Sequence, residues 1–403
     1  MRSSRRSLAV VALLLAAGVA ASAQTALPTA PPTAPVATLA DVPSRARLGI
    51  VKALQARGAG RAEEAVQLLQ TELRERPQEE HWLLRHHLGM SLMQAKRTAE
   101  AIPQFEAAVA AEPRHAESWL GLGQCAYETG DFATAGRALD EGFRRNPRKD
   151  PSLLYFAGVA YLQGGMPAQA AGLLEQLAGG FYGRPQLDAF RALIAASLEL
   201  KDPERGRRAA DAMLAAYPED PEAWRLAFQH AAAVGDHRRA AVDLTIVDYL
   251  QPLQGRERIQ LGDLYRAVGA PAEAGRHYEQ AVADTSGSDD YERLATAWLS
   301  AHEPQRARET LKLALARKPT ARFWALLGDL ELAQDQHAAA LAAFTESLAL
   351  DPGQGQIRLM AGFCALEAGD PAAARAHLEL AAGFPEQTAG ATQLLQRAAP
   401  AQP

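Results

Sequence analysis

The histidines are the side chains whose type and spacing come nearest to chemistry. His81, His86, His87 and His115 form the one histidine concentration in the 403-residue sequence, and imidazole nitrogens are good ligands for transition metals. Neighbouring residues on a helix point about 100° apart, so His86 and His87 do not readily meet one ion without outside ligands. A solvated or groove-lining place suits them better. Gly121-Leu-Gly-Gln-Cys-Ala126 has the GxGxxA form of a dinucleotide loop, but that form needs a strand in front of it, and here it lies inside a helical pattern. No GxxxxGK[ST], HExxH, GxSxG or CxxC is present, so the common nucleotide, zinc-protease, hydrolase and redox chemistries have no anchor. The acid pairs Glu63-Glu64, Glu79-Glu80 and Asp289-Asp290 fall at helix starts, where carboxylates favour the positive end of the dipole. Cys125 and Cys364 are seven repeats apart and read as small packing residues, not as a disulfide. The sequence therefore assigns no catalytic residue, no cofactor and no metal.

The elements that carry these residues are helices. Alanine, leucine, glutamate, glutamine and arginine dominate, and aromatics make up 6%, a composition with high helix and low strand propensity. A small residue recurs at Ala65, Ala101, Ala135, Ala170, Gly206, Ala240, Ala274, Ala307, Ala340 and Ala374, with spacings of 36, 34, 35, 36, 34, 34, 33, 33 and 34. Five residues earlier, glycine marks a turn in six units, at Gly60, Gly130, Gly165, Gly235, Gly269 and Gly369. Such a reversal calls for positive φ. Seven residues before that, Gly123, Gly158, Gly262 and Gly362 sit inside the first helix of their units, where glycine is costly unless another helix must come close. Four residues after the small residue stands a larger apolar one, as at Leu69, Phe105, Leu139 and Phe344. Most units close on a proline, such as Pro113, Pro147 and Pro352, which stops the helix.

In this register the stretch from Trp119 through Leu122, Gly123, Gly130, Ala135, Leu139 and Pro147 resembles a tetratricopeptide (TPR) motif. So do Trp324, Leu327, Gly328, Ala340, Phe344 and Pro352, and Leu261, Gly262, Tyr265, Gly269, Ala274, Tyr278 and Ala281. The resemblance implies an all-α fold, a right-handed superhelical solenoid of about ten helix–turn–helix units. It further implies that first helices line a concave face that takes a partner's peptide or helix. By register the candidates on that face are His86, His87, Gln124, Tyr127, Tyr155, Gln163, Arg225, Gln229, Gln260, Asp263 and Arg266. The fifth unit, Leu187 to Pro218, is the weakest match: Ala210 fills the large apolar slot, an unusual loop Gly179-Gly-Phe-Tyr-Gly183 precedes it, and a distortion or hinge is expected there. The chaperone-type carboxylate clamp is excluded, since it needs first-helix asparagines and the single asparagine, Asn146, ends a second helix.

The flanks differ from the body. Arg2, Arg5 and Arg6, an apolar run from Leu8 to Ala21, and Ala21-Ser22-Ala23 are the parts of a cleavable secretory signal, and the run is shorter than the ~20 residues a membrane span needs. Residues 1–23 are thus expected to leave after Ala23. Residues 24–44 read as a Thr/Ala/Pro linker, 45–386 as the solenoid, and 387–403 as a helix end with a disordered tail. Losing the three leader arginines moves the formal charge from −5 to −8, unlike a nucleic-acid binder. The expected protein is periplasmic or secreted and inserts into no membrane after cleavage. Its expected role is a non-catalytic scaffold for protein partners of the envelope. The stretch Pro221 to Asp284 is loosely similar to TPR components of TonB–ExbB–ExbD systems. Two other roles compete: an accessory protein for exopolysaccharide export or outer-membrane assembly, and an α/α-toroid enzyme acting on polysaccharide. Scattered acids and short loops weigh against the last.

Overall fold

The computed structural model describes residues 38–282 and 287–398, so the expected signal segment, most of the linker and the last five residues lie outside it. Two compact units divide at Gly235 and Asp236. The first holds α1 (Ser44–Gly58), α2 (Ala62–Glu75), α3 (Trp82–Gln94), α4 (Thr98–Ala111), α5 (Ala116–Thr129), α6 (Phe132–Arg145), α7 (Pro151–Gln163), α8 (Pro167–Ala178), α9 (Leu187–Glu199), α10 (Pro203–Ala216) and α11 (Pro221–Ala233). The second holds α12 (His237–Leu250), α13 (Gly255–Ala267), α14 (Pro271–Ala281), α15 (Ser288–Ser300), α16 (Pro304–Arg317), α17 (Ala321–Leu332), α18 (His337–Leu350), α19 (Gly355–Glu367), α20 (Pro371–Ala381) and α21 (Thr388–Arg397). Among the described residues there is no strand. The fold is all-α, a tandem array of helix–turn–helix units.

One backbone device makes every turn within a pair. The residue five positions before each small residue is left-handed in all ten units: Gly60, Gly130, Gly165, Gly235, Gly269 and Gly369, and also Lys96, Lys201, His302 and Asp335, with φ between 55° and 84°. The next N–H reaches back across the turn, as Asp131 N to Ala126 O at 2.9 Å and Asp202 N to Ser197 O at 2.9 Å, closing the first helix in the manner of a Schellman cap. Asp131, Asp202, Asp236 and Asp370 then accept from the backbone N–H three residues on and so start the second helix. Proline opens α7, α8, α10, α11, α14, α16 and α20, where its missing N–H costs nothing.

Packing within a pair is glycine against ring or branched side chain. A Cβ placed on Gly123 would sit 2.7 Å from Leu139 Cγ, on Gly262 2.5 Å from Tyr278 Cε1, and on Gly328 2.4 Å from Phe344 Cδ1. The small residues that open the second helices, Ala65 to Ala374, are themselves buried, with Gly206 in the fifth unit. Gly206 has no room for a methyl because buried His230 lies against it. The fifth unit is not a break. Phe190, Ala210 and Met213 share one apolar core with Leu174 of the fourth pair and Leu226 of α11, and Tyr182 of the preceding loop seats its ring edge-on against Phe143 at 5.2 Å. The chain divides later, at Gly235.

Both edges of the expected solenoid are moved. Thr38 to Val42, read as linker, form a capped 3-10 turn in which Asp41 accepts from Thr38 N at 2.6 Å. Val42 is 1% exposed and Leu39 packs against the same core, so two apolar side chains after the prolines pin the segment to the first pair. At the other end, residues 388–397 are the separate helix α21, whose Ala391, Leu394 and Leu395 pack on Leu378 and Leu359. Its apolar side chains recur at helical spacing, which makes it a lid on the last pair, not a helix end.

Candidate protein-binding face and histidine cluster

The slot fifteen residues before each small residue lies on a first helix and holds His86, Leu120, Tyr155, Arg191 and Arg225 in the second to sixth units. What each side chain meets there depends on the next unit. Tyr155 is half-buried and sets its ring edge-on to Phe156, 5.6 Å between centroids. Burial, then Asp188, raises its hydroxyl above the ordinary tyrosine range. Tyr127 is likewise half-buried and sets its ring edge-on to Phe132 at 5.3 Å. Next along, Arg191 donates to Asp188 at 2.9 Å and to Glu222 of α11 at 3.1 Å. The first helices α5, α7, α9 and α11 thus present aromatic rings followed by a bridged guanidinium. Arg191 was not among the residues expected here. Its signal was the shared slot, masked by the poor fit of the fifth unit.

The other expected residues divide by environment. Gln124 is exposed and donates to Glu128 at 3.1 Å. Gln229, Gln260 and Arg266 are exposed, while Gln163 and Arg225 are half-buried. Gln163 keeps a buried Oε1 without a hydrogen-bond donor. Asp263 is already engaged: it accepts from Tyr278 Oη at 2.7 Å and from Arg293 Nη1 at 2.6 Å. Gln260, Asp263 and Arg266 belong to the second unit and the other eight to the first. The eleven are therefore two sets.

His86 departs most from expectation. It is 4% exposed, because the first turn of α5 closes over it. Its ring meets Phe105 at 6.0 Å and His115 at 4.7 Å, nearly perpendicular to the latter. Burial first, then His87, His115 and Arg57, push its pKa down to about 2, and burial with Arg57 takes His87 to about 4. Both are neutral imidazoles at physiological pH. His115 is the N-cap of α5 and accepts from Ser118 N at 3.2 Å. Ser118 Oγ lies 2.8 Å from His115 Nδ1 and 3.0 Å from His86 Nδ1. The hydrogen positions that satisfy this network have Ser118 donating to His115 and accepting from His86. His86, His115 and Glu117 bring one ligand atom each to within 4.8 Å of one another, the one such trio among the described residues. His87, with a buried Nδ1 lacking a partner, stands outside it. Cys125 and Cys364 are buried free thiols, pushed up to about 12 and about 11 by burial, as inert packing residues should be.

Comparison with known proteins follows the same register. A tetratricopeptide repeat model matches residues 87–147, 126–185 and 292–355, and a second tetratricopeptide repeat model matches 331–398. Together these segments span just over half of the 403 residues. No curated protein matches the chain. Among solved structures, the chain is similar to one titled as the APC/C hetero-tetramer Cut9–Hcn1, at 14% identity over 89% of this chain and 97% of that one, with a TM-score of 0.41. It is also similar to MamA, at 22% identity over 42% and 93% with a TM-score of 0.37. A third is YrrB, titled a TPR protein with an unusual peptide-binding site, at 18% over 47% and 98% with a TM-score of 0.38. With its ten-fold helix–turn–helix register and these repeat matches, the chain belongs to the tetratricopeptide repeat family.

Proposed function

We propose that this chain is a non-catalytic scaffold that binds protein partners on the first-helix face of its N-terminal unit, and that it does so in the bacterial cell envelope. The observation that carries the reading is the run of Tyr127, Tyr155 and Arg191 on successive first helices, two amphipathic rings and a guanidinium fixed by Asp188 and Glu222. Tyrosine and arginine of this kind supply area and hydrogen bonds at low entropic cost. The leader-like start of the sequence supports the envelope setting. Among the described residues no helix is long and apolar enough to cross a membrane. The partner class we favour is a subunit of a TonB/ExbB/ExbD-type membrane complex, on the loose similarity of Pro221 to Asp284.

In-envelope crosslinking followed by mass spectrometry tests this. The mature chain, beginning at Gln24, should capture membrane-complex subunits, and Tyr127→Ala with Tyr155→Ala should lower the yield at least ~10-fold, the loss of two anchoring rings. Undiminished capture by the double variant would sink the binding face. Capture that recovers no inner-membrane subunit would sink the partner class.

A further inference from the structure

We propose that His86, His115 and Glu117 form a binding site for a divalent transition-metal ion, Zn²⁺ in the first instance, that joins the second helix pair to the third and keeps a coordination position open to water. The donor set is two imidazoles and one carboxylate, a combination suited to zinc, copper or nickel. Nε2 of His86 and Nε2 of His115 each stand 4.0 Å from the same oxygen, Oε2 of Glu117. Ligands held at zinc distances lie roughly 3.3 Å apart in a tetrahedron, so the two gaps to Glu117 must close by about 0.7 Å, and the two imidazole nitrogens, within 4.8 Å of each other, must draw in as well. Glu117 can supply the first of these movements, since its side chain is 78% exposed.

The rings themselves are held. Ser118 Oγ touches Nδ1 of both, Trp82 covers His115 at 4.6 Å between centroids, and Phe105 backs His86. This is the kind of outer shell that orients imidazole ligands. His86, donating from Nδ1, already has its Nε2 lone pair toward Glu117. His115 must move its proton from Nε2 to Nδ1, which gives up the 3.2 Å bond from Ser118 N. The start of α5 and Arg57 also oppose a cation. Binding is therefore expected to be weaker than in a closed structural zinc site.

Titration of the untagged mature protein with Zn²⁺ by calorimetry, and with Co²⁺ by visible absorption, tests the proposal. One ion per chain is expected, with a rise in melting temperature. Glu117→Gln should weaken binding by ~10-fold or more and His115→Gln should abolish it. Glu117 is exposed, so its variant folds even should His115→Gln not. Absence of saturable binding, or stoichiometric binding unchanged in Glu117→Gln, overturns the site. Binding lost equally in His277→Gln, a histidine of the other unit, would overturn it as well.

Discussion

At the scale of the residue, one dihedral angle does what composition only hints at. Six turns carry glycine, and the four that do not still hold Lys96, Lys201, His302 and Asp335 left-handed. An L residue with a Cβ there costs about 1–2 kcal/mol, of which glycine's larger unfolded-state entropy returns part. Lys201→Gly should therefore stabilise the fold by about 0.5–1 kcal/mol in chemical denaturation; an equal loss would mean that the lysine side chain does something the backbone does not. Tyr278 supplies a pH test. Burial first, then its bond to Asp263, pushes its hydroxyl up to about 12, against about 10 in an unfolded chain. The unfolded chain loses that proton first, so the stabilisation is complete below pH ~10 and fades as pH rises toward ~12. Between pH ~9 and ~11 the wild type should lose about 1.4 kcal/mol more than Tyr278→Phe. Parallel curves would refute the assignment.

At the scale of the element, the pair is a glycine-to-ring contact closed by a cap. Gly328→Ala would drive a methyl to 2.4 Å from Phe344, and overpacking of this kind costs about 1–3 kcal/mol. A melting temperature equal to wild type would show that α17 and α18 can slide apart. The sequence made this level legible. The small residue, the facing glycine and the turn position repeat at one period, and each slot's role follows from sterics. What one helix meets on the next pair was less legible. His86 reads as an exposed groove residue by register, yet the N-cap of α5 buries it, and a cap is a local event that periodicity does not encode. Asp263 likewise looked free, while its partners Tyr278 and Arg293 stand 15 and 30 residues away. Polar bonds at about one repeat length recur at Arg97 with Glu63, Arg191 with Glu222, Arg322 with Glu292 and Arg397 with Glu367. A search for opposite charges one period apart would have found them.

At the scale of the whole molecule, contacts within each unit run between neighbours in sequence, so the stability of a unit is close to a sum of local terms. Hydrogen exchange on Gly328→Ala should show lost protection in α17 and α18 that decays within the second unit, with amides of the first unit unchanged. Uniform loss across both units would mean that the chain unfolds as one body. The family was legible at this scale from period alone. The division at Gly235 was not, because the turn there keeps the left-handed conformation common to the repeats.

The turns within pairs and the connections between pairs respond differently to chain length. Within a pair, the left-handed residue and the small residue that opens the second helix are always five positions apart. Drift in the period from 33 to 36 must therefore accumulate elsewhere, chiefly in connections such as Gly179 to Gln186 between α8 and α9. Evolution can lengthen that connection without disturbing a single hairpin. It is also where Phe181 stands 75% exposed, so an inserted loop that gained a new contact there would leave the frame of every repeat intact.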